Sequence, residues 1–297
     1  MDFDATIRAA WNDHTGDAAD TADRLADAVE HIAGPEQLGP YASVVGHVVG
    51  QHLHAWPRAA ELIEQAIARC GDVEIPGGAL RHLAVARYLA GDVVRAMATE
   101  LRAAAVDEHD AIESVTVVRA MTAEALLNTG ETEGPITLFR ETVHVARQLP
   151  DEAGATRTMA IAANNMASTL LERDDRTEAC DAAMVELAGL AREFWLRAGT
   201  WVNEERADYL LALVDLELGR HEPALQAADR ALALIEQHGE QDVDRAFLLL
   251  ARCRACRGLD RGADADAALA DADAIAAGFS EDWLTSWFAD ERKKAAV

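Results

Sequence analysis

Lysine is almost missing from this 297-residue chain: Lys293 and Lys294 are the only two, so arginine supplies nearly all of the basic side. Lysine and arginine together number 27 against 52 acidic residues, a formal net charge of −25. A field of that sign repels phosphate backbones and anionic lipid headgroups, which argues against nucleic acid and membrane as partners and favours a basic one. Aromatic residues make up only 5%. The core must therefore come from close helix–helix approach through small side chains, and alanine, abundant here, has the best helix propensity. Four cysteines, Cys70, Cys180, Cys253 and Cys256, are too few and too scattered for a disulfide framework. No stretch approaches the roughly 20 apolar residues of a membrane span. The start, Met1-Asp2-Phe3-Asp4, has no basic segment before an apolar run, so a cytoplasmic location is expected. Nucleophile-elbow, phosphate-loop, dinucleotide, metalloprotease and helix-turn-helix signatures are all missing, which points to a noncatalytic protein without cofactor or metal.

What is present is a repeated spacing. Leu83-Ala84 is followed by Gly91, Ala96 and Ala103, and the same offsets return at Leu211-Ala212, Gly219, Ala224, Ala231 and at Leu250-Ala251, Gly258, Ala263, Ala270. Each set reads as two antiparallel helices meeting through small residues, with a glycine where the first helix ends. The first small position falls at Ala84, Ala123, Ala167, Ala212 and Ala251, offsets of 39, 44, 45 and 39 residues. Asp174 stands at the glycine position of the third unit, Pro135 and Thr142 replace the alanines of the second, and Glu186 replaces one of the third. This pattern resembles the long-repeat variety of the tetratricopeptide repeat (TPR) superfamily, without the marks of any one functional family.

The resemblance implies an all-α, right-handed α-α superhelical solenoid of about seven helical hairpins running through residues 1–297 as one domain. Residues 1–77 hold two irregular hairpins. In these, 3–32 turns at Gly16, and 41–70 has Tyr41 to His52 on its first helix and Pro57 to Arg69 on its second. Residues 78–277 hold the regular hairpins. Gly278 then closes a helix, and Ser280 is placed to cap another over 280–297, with Trp283, Trp287 and Phe288 on one side. That side reads either as a terminal cap over the last hairpin or as an exposed stripe, through which Trp283 and Trp287 would support a homodimer.

The resemblance also implies a concave groove lined by first helices, in which family members hold peptides or helices of other proteins. The frame places Arg81, Val85 and Tyr88 there, then Ala120, Glu124 and Asn128, then Asn164, Ser168 and Glu172, then Arg206, Tyr209 and Leu213, and last Arg245, Leu248 and Arg252. Asn164 can bond a peptide backbone both ways, and the arginines can fork onto carboxylates. The chain is thus expected to be a protein- or peptide-binding scaffold, the alternative being a sensor that changes shape on binding a signalling peptide or small ligand. Other clusters read as structural. Cys253 and Cys256 sit inside a first helix as small buried residues, His47, His52 and His54 lack a neighbouring acid to complete a metal set, and Glu204, Glu205 and Asp208 are expected to face water.

Overall fold

The computed structural model describes residues 2–13, 16–106, 111–239 and 241–295. The described residues form no strand. Their contacts divide the chain into two compact units, Met1–Met159 and Ala160–Val297.

Unit 1 begins with α1 (Phe3–Asp13) and α2 (Ala18–Ala28), followed by a 3₁₀ turn at Val29–His31. Asp17 opens α2 by accepting a hydrogen bond from the Asp20 amide at 2.9 Å. Next come α3 (Leu38–Val45) and α4 (Trp56–Arg69), with the π-helical segment Gly46–His52 continuing α3. The helix thus starts before the expected Tyr41, because Pro40 fits a first turn. The remaining pairs of unit 1 are α5 (Gly77–Leu89) with α6 (Val93–Val106) and α7 (Ala111–Leu127) with α8 (Glu133–Ala146). Helix α9 (Gly154–Leu171) carries the boundary between the units. Unit 2 continues with α10 (Glu178–Ala198), α11 (Trp201–Glu217), α12 (His221–His238), α13 (Asp242–Gly258), α14 (Gly262–Ala276) and α15 (Asp282–Ala295). Within each unit the first helices stack on one another, α3 on α5 and α5 on α7, and separately α11 on α13.

One spacing rule explains the regular hairpins. Gly91, Gly130 and Gly219 adopt positive φ at the turn, where the missing side chain makes a left-handed residue cheap. The residues five and twelve further on, Ala96 and Ala103, Pro135 and Thr142, Ala224 and Ala231, are buried, as are Ala84, Ala123 and Ala212 seven before. In the last hairpin the rule holds from Asp260, at φ 58, and not from the expected Gly258. Helix α13 runs two residues longer, so Ala265, Ala272 and Cys253 are the buried small residues, whereas Ala263 and Ala270 are exposed. Gly258 has a different use: a Cβ there would come within 2.3 Å of the His221 ring. In α10 the buried positions are Cys180 and Leu187, one residue beyond Ala179 and Glu186. The α9–α10 connection has no glycine. Instead Arg176 Nη1 donates to the Leu171 and Arg173 carbonyls at 2.9 and 2.7 Å, satisfying the end of α9, while its other nitrogens pair Asp181 and Glu217.

Helix α15 seats on α13. Leu284 and Phe288 are buried, and Phe288 meets Phe247 edge to face at 5.8 Å. The helix begins after Glu281, whose carbonyl accepts from the Thr285 amide at 3.0 Å, so Ser280 lies one residue outside the cap. Trp283 is 62% exposed and only Trp287 of the pair leans on Phe247, at 4.2 Å. Packing thus falls on Leu284 and Phe288, the i, i+4 positions of the same helix.

Candidate functional site

The first-helix side of unit 1 carries two hollows along α5 and α7. The larger, about 450 Å³, is lined by Arg81, Glu113, Ser114, Val117, Glu152, Gly154 and Thr158. Glu113 forms part of its wall and accepts from the Ala155 amide at 3.2 Å, capping the start of α9 from α7. The smaller, about 160 Å³, lies one to two turns further along the same helices and is bounded by Trp11, Ser43, His47, Gln51, Trp56, His82, Val85, Met121 and Glu124. Of the sequence-predicted positions, Arg81, Val85 and Glu124 therefore meet at hollows. Tyr88 turns to its own hairpin, its hydroxyl donating to Glu100 at 2.7 Å, and burial with that bond pushes its pKa up. Asn128 sits half-buried at the end of α7, its amide donating to the Glu124 carbonyl at 3.2 Å.

In unit 2 a hollow of about 400 Å³ is lined by Leu171, Glu172, Tyr209, Leu213, Glu217, Arg254, Trp287, Glu291 and Lys294. Tyr209, Leu213 and Glu172 were expected on this side. Arg254 takes the place assigned to Arg252 for the reason already seen at Asp260: it follows the small residue Cys253 as Leu213 follows Ala212. Arg252 instead ion-pairs Asp229 of α12 at 2.8 Å. Leu248 is fully buried. Arg206 is held by Asp244 at 3.0 Å, Arg245 is exposed on the first turn of α13, and Asn164 and Ser168 are half-buried on α9.

Of the three acids on α11 expected to face water, Glu204 is partly exposed and the other two are not. Glu205 and Asp208 are both completely buried. Asp208 Oδ1 accepts from Arg192 Nε of α10 at 2.9 Å and from Arg230 Nη2 of α12 at 2.6 Å. Arg192 also reaches Glu204 at 3.4 Å. Burial, with Asp244 beside it, pushes the Glu205 carboxyl up to about 8. The signal was the position itself: Ala212 is on the buried stripe, and Asp208 and Glu205 precede it by four and seven residues.

The remaining motifs take structural places. Cys253 Sγ donates to the Ala295 carbonyl at 3.4 Å, tying α15 to α13, and burial raises the Cys256 thiol. His47 meets His52 and not His54, their Nε2 atoms 3.2 Å apart, because a π-helix brings i and i+5 together. His54 follows the segment with φ 52. Among the described residues no three His, Cys, Asp or Glu side chains group as a metal site, and no helix is long and apolar enough to cross a membrane.

No family model and no curated protein matches the sequence. Among solved structures the apo form of RapI is similar with a TM-score of 0.51 at 10% identity, over 96% of this chain and 79% of its own. BtubC from P. vanneervenii gives 0.47 at 16% identity over 84% and 95%. The apo form of the quorum sensor NprR from B. thuringiensis gives 0.38 at 13% identity over 91% and 86%. At these identities the likeness concerns fold alone: the chain has a TPR-like all-α helical-repeat architecture.

Proposed function

We propose that the chain is a noncatalytic scaffold that captures a segment of another protein along its first helices. The observation that carries this reading is the pair of hollows of unit 1, spaced along α5 and α7 with apolar, acidic and basic groups side by side. Val85, Val117 and Met121 offer apolar contact, while Arg81, Glu113 and Glu124 offer charge of both signs. Stacked helices hold these groups in place before binding, which reduces the ordering cost of taking up an extended chain. The hollow of unit 2 offers Tyr209, Trp287 and Arg254, side-chain types that dominate protein interfaces.

Fluorescence anisotropy with a panel of labelled basic, acidic and neutral peptides tests the reading. Saturable binding of at least one peptide class is expected, weakened about tenfold when Val117→Ala and Tyr209→Ala, which remove lining contacts of two hollows, are combined, a loss of about 1.4 kcal/mol. Absence of binding by every class would sink the proposal. A net charge of −25 makes the basic class the one expected to bind.

A further inference from the structure

Two helices turn a row of large apolar side chains toward solvent, and the charges around the two rows differ. On α6, Val94, Met97 and Leu101 are exposed, and the exposed charges beside them, Arg95 and Arg102, are alike in sign. On α15 the exposed row is aromatic and the charges are of both signs. Leu284 and Phe288 seat that helix on α13, and Arg292 pairs Asp273 of α14 at 2.6 Å, so the opposite face is held outward. Trp283, 62% exposed, is the most exposed aromatic side chain among the described residues. Trp287 is 46% exposed, and the two indoles stack side by side at 6.4 Å. Two large rings left in water on a helix whose packing is already supplied by other residues mark an interaction surface.

Charge identifies what covers that surface. The whole chain carries −25, yet residues 280–295 hold four acids against three bases, with both lysines of the chain among them. Two copies of the chain therefore approach each other here with little repulsion. The order of the side chains is also self-complementary. Asp282 and Lys293 are eleven residues apart, as are Trp283 and Lys294, and all four are exposed. Eleven residues make three helical turns to within about 20°, so the members of each pair share a side of α15 about 16 Å apart. An antiparallel copy sets Lys293 against Asp282 of the other chain and the Lys294 ammonium over its Trp283 ring, and the two-fold axis makes each contact twice. Within one chain Lys293 pairs Asp290 and Lys294 pairs Glu291, each three residues back in the same helix at 2.7 Å. Both lysines remain exposed, and such pairs contribute little that a second acceptor or ring could not replace. We infer that α15 is a two-fold interface, on which a second copy of this chain packs antiparallel across Trp283 and Trp287. The inference is independent of segment capture, since Asp282, Trp283 and Lys293 border none of the three hollows.

Sedimentation velocity on the full chain over a range of concentrations is expected to show a monomer–dimer equilibrium, weakened about tenfold or more by Trp283→Ser at its exposed position. A charge exchange tests the orientation. Lys293→Asp alone or Asp282→Lys alone should weaken the dimer about tenfold, and the two combined should restore it. Positions about 16 Å apart cannot touch within one helix, so rescue reports contact between copies. In the unsubstituted chain the Trp283 indole NMR signal must move with concentration, a readout that needs no variant to fold. A chain monomeric at every concentration, an unmoved Trp283 signal, or a combined variant that folds and associates no more tightly than the single ones would overturn the inference. A dimer that survives Trp283→Ser and is lost with Leu101→Ser would place the interface on α6 and overturn it as well. Peptide binding by Trp283→Ser should equal that of the parent. If no peptide binds and the dimer behaves as stated, the scaffold reading fails and the interface stands.

Discussion

The α10–α12 interior of unit 2 and the hollow of unit 1 both enclose polar side chains, and they resolve the cost of doing so in opposite ways. In unit 2, Asp208 Oδ1 is met by two arginines, and burial with Asp244 nearby raises the Glu205 carboxyl beside it. In unit 1 the polar groups around His47 face a space that no side chain of the unit fills. Buried charge met by counter-charges fixes helix register, whereas polar walls that border a hollow leave room for a ligand beside them. The contrast separates structural polarity from binding polarity in a chain where acidic residues are everywhere.

The largest effect is expected where the network is broken on one side only. Arg192→Ala with Arg230→Ala leaves Asp208 buried without a counter-charge and should cost about 3–5 kcal/mol in urea denaturation. Adding Asp208→Leu should recover most of that loss, since an apolar group of similar size asks for no partner. A double variant within about 1 kcal/mol of the parent would mean that Asp208 is solvated and the contrast is false. Next in size is Gly50→Ala, which pushes a methyl into the Trp56 ring and should cost about 1–3 kcal/mol. Gly189→Ala on α10, with nothing within 4 Å of the added carbon, should instead stabilise by about 0.5–1 kcal/mol.

The two regions should also answer pH with opposite sign. Burial, aided by the charge of Arg81, holds His82 of unit 1 down to about 4. The unfolded imidazole takes its proton near 6.5, so stability from this group is full above 6.5 and is lost as pH falls toward 4. Glu205 is raised from 4.5 to about 8, so its contribution is full below 4.5 and is lost as pH rises toward 8. Melting temperatures across pH 4–8 should therefore show Glu205→Gln gaining on the parent toward pH 8 and His82→Gln gaining toward pH 4. Parallel profiles for parent and both variants would remove the electrostatic half of the comparison.

Much of the architecture was legible because small residues recur at fixed distances from a left-handed turn, and that is a backbone requirement. What the spacing could not reveal was which residue makes the turn. Asp260 takes a left-handed conformation that glycine takes elsewhere, and choosing Gly258 moved every later position by two. Glu205 and Asp208 were read as solvated because composition says where acids usually lie, while their phase with Ala212 says that these two are inside. The π-helical segment has no sequence signature comparable to a glycine turn. Its effect, pairing His47 with His52 instead of His54, follows from a change of helical period that apolar spacing does not reveal.

The smallest expected effect sharpens the comparison within unit 2, which has an open hollow of its own. Arg252 and Arg254 are two residues apart on α13, and the frame reckoned from Gly258 chose the first as the binding arginine. Arg252 is spent on Asp229 with its side chain 27% exposed, so Arg252→Ala should cost no more than about 1 kcal/mol and leave peptide affinity unchanged. Arg254 borders the hollow beside Tyr209 and Trp287, so Arg254→Ala should be as mild in stability yet weaken whichever peptide binds there. Urea denaturation and anisotropy on the two variants read both quantities. If Arg252→Ala lowers affinity and Arg254→Ala does not, an arginine already paired within the fold is the one that binds, and the division between closed and open polar regions fails in the unit where both occur.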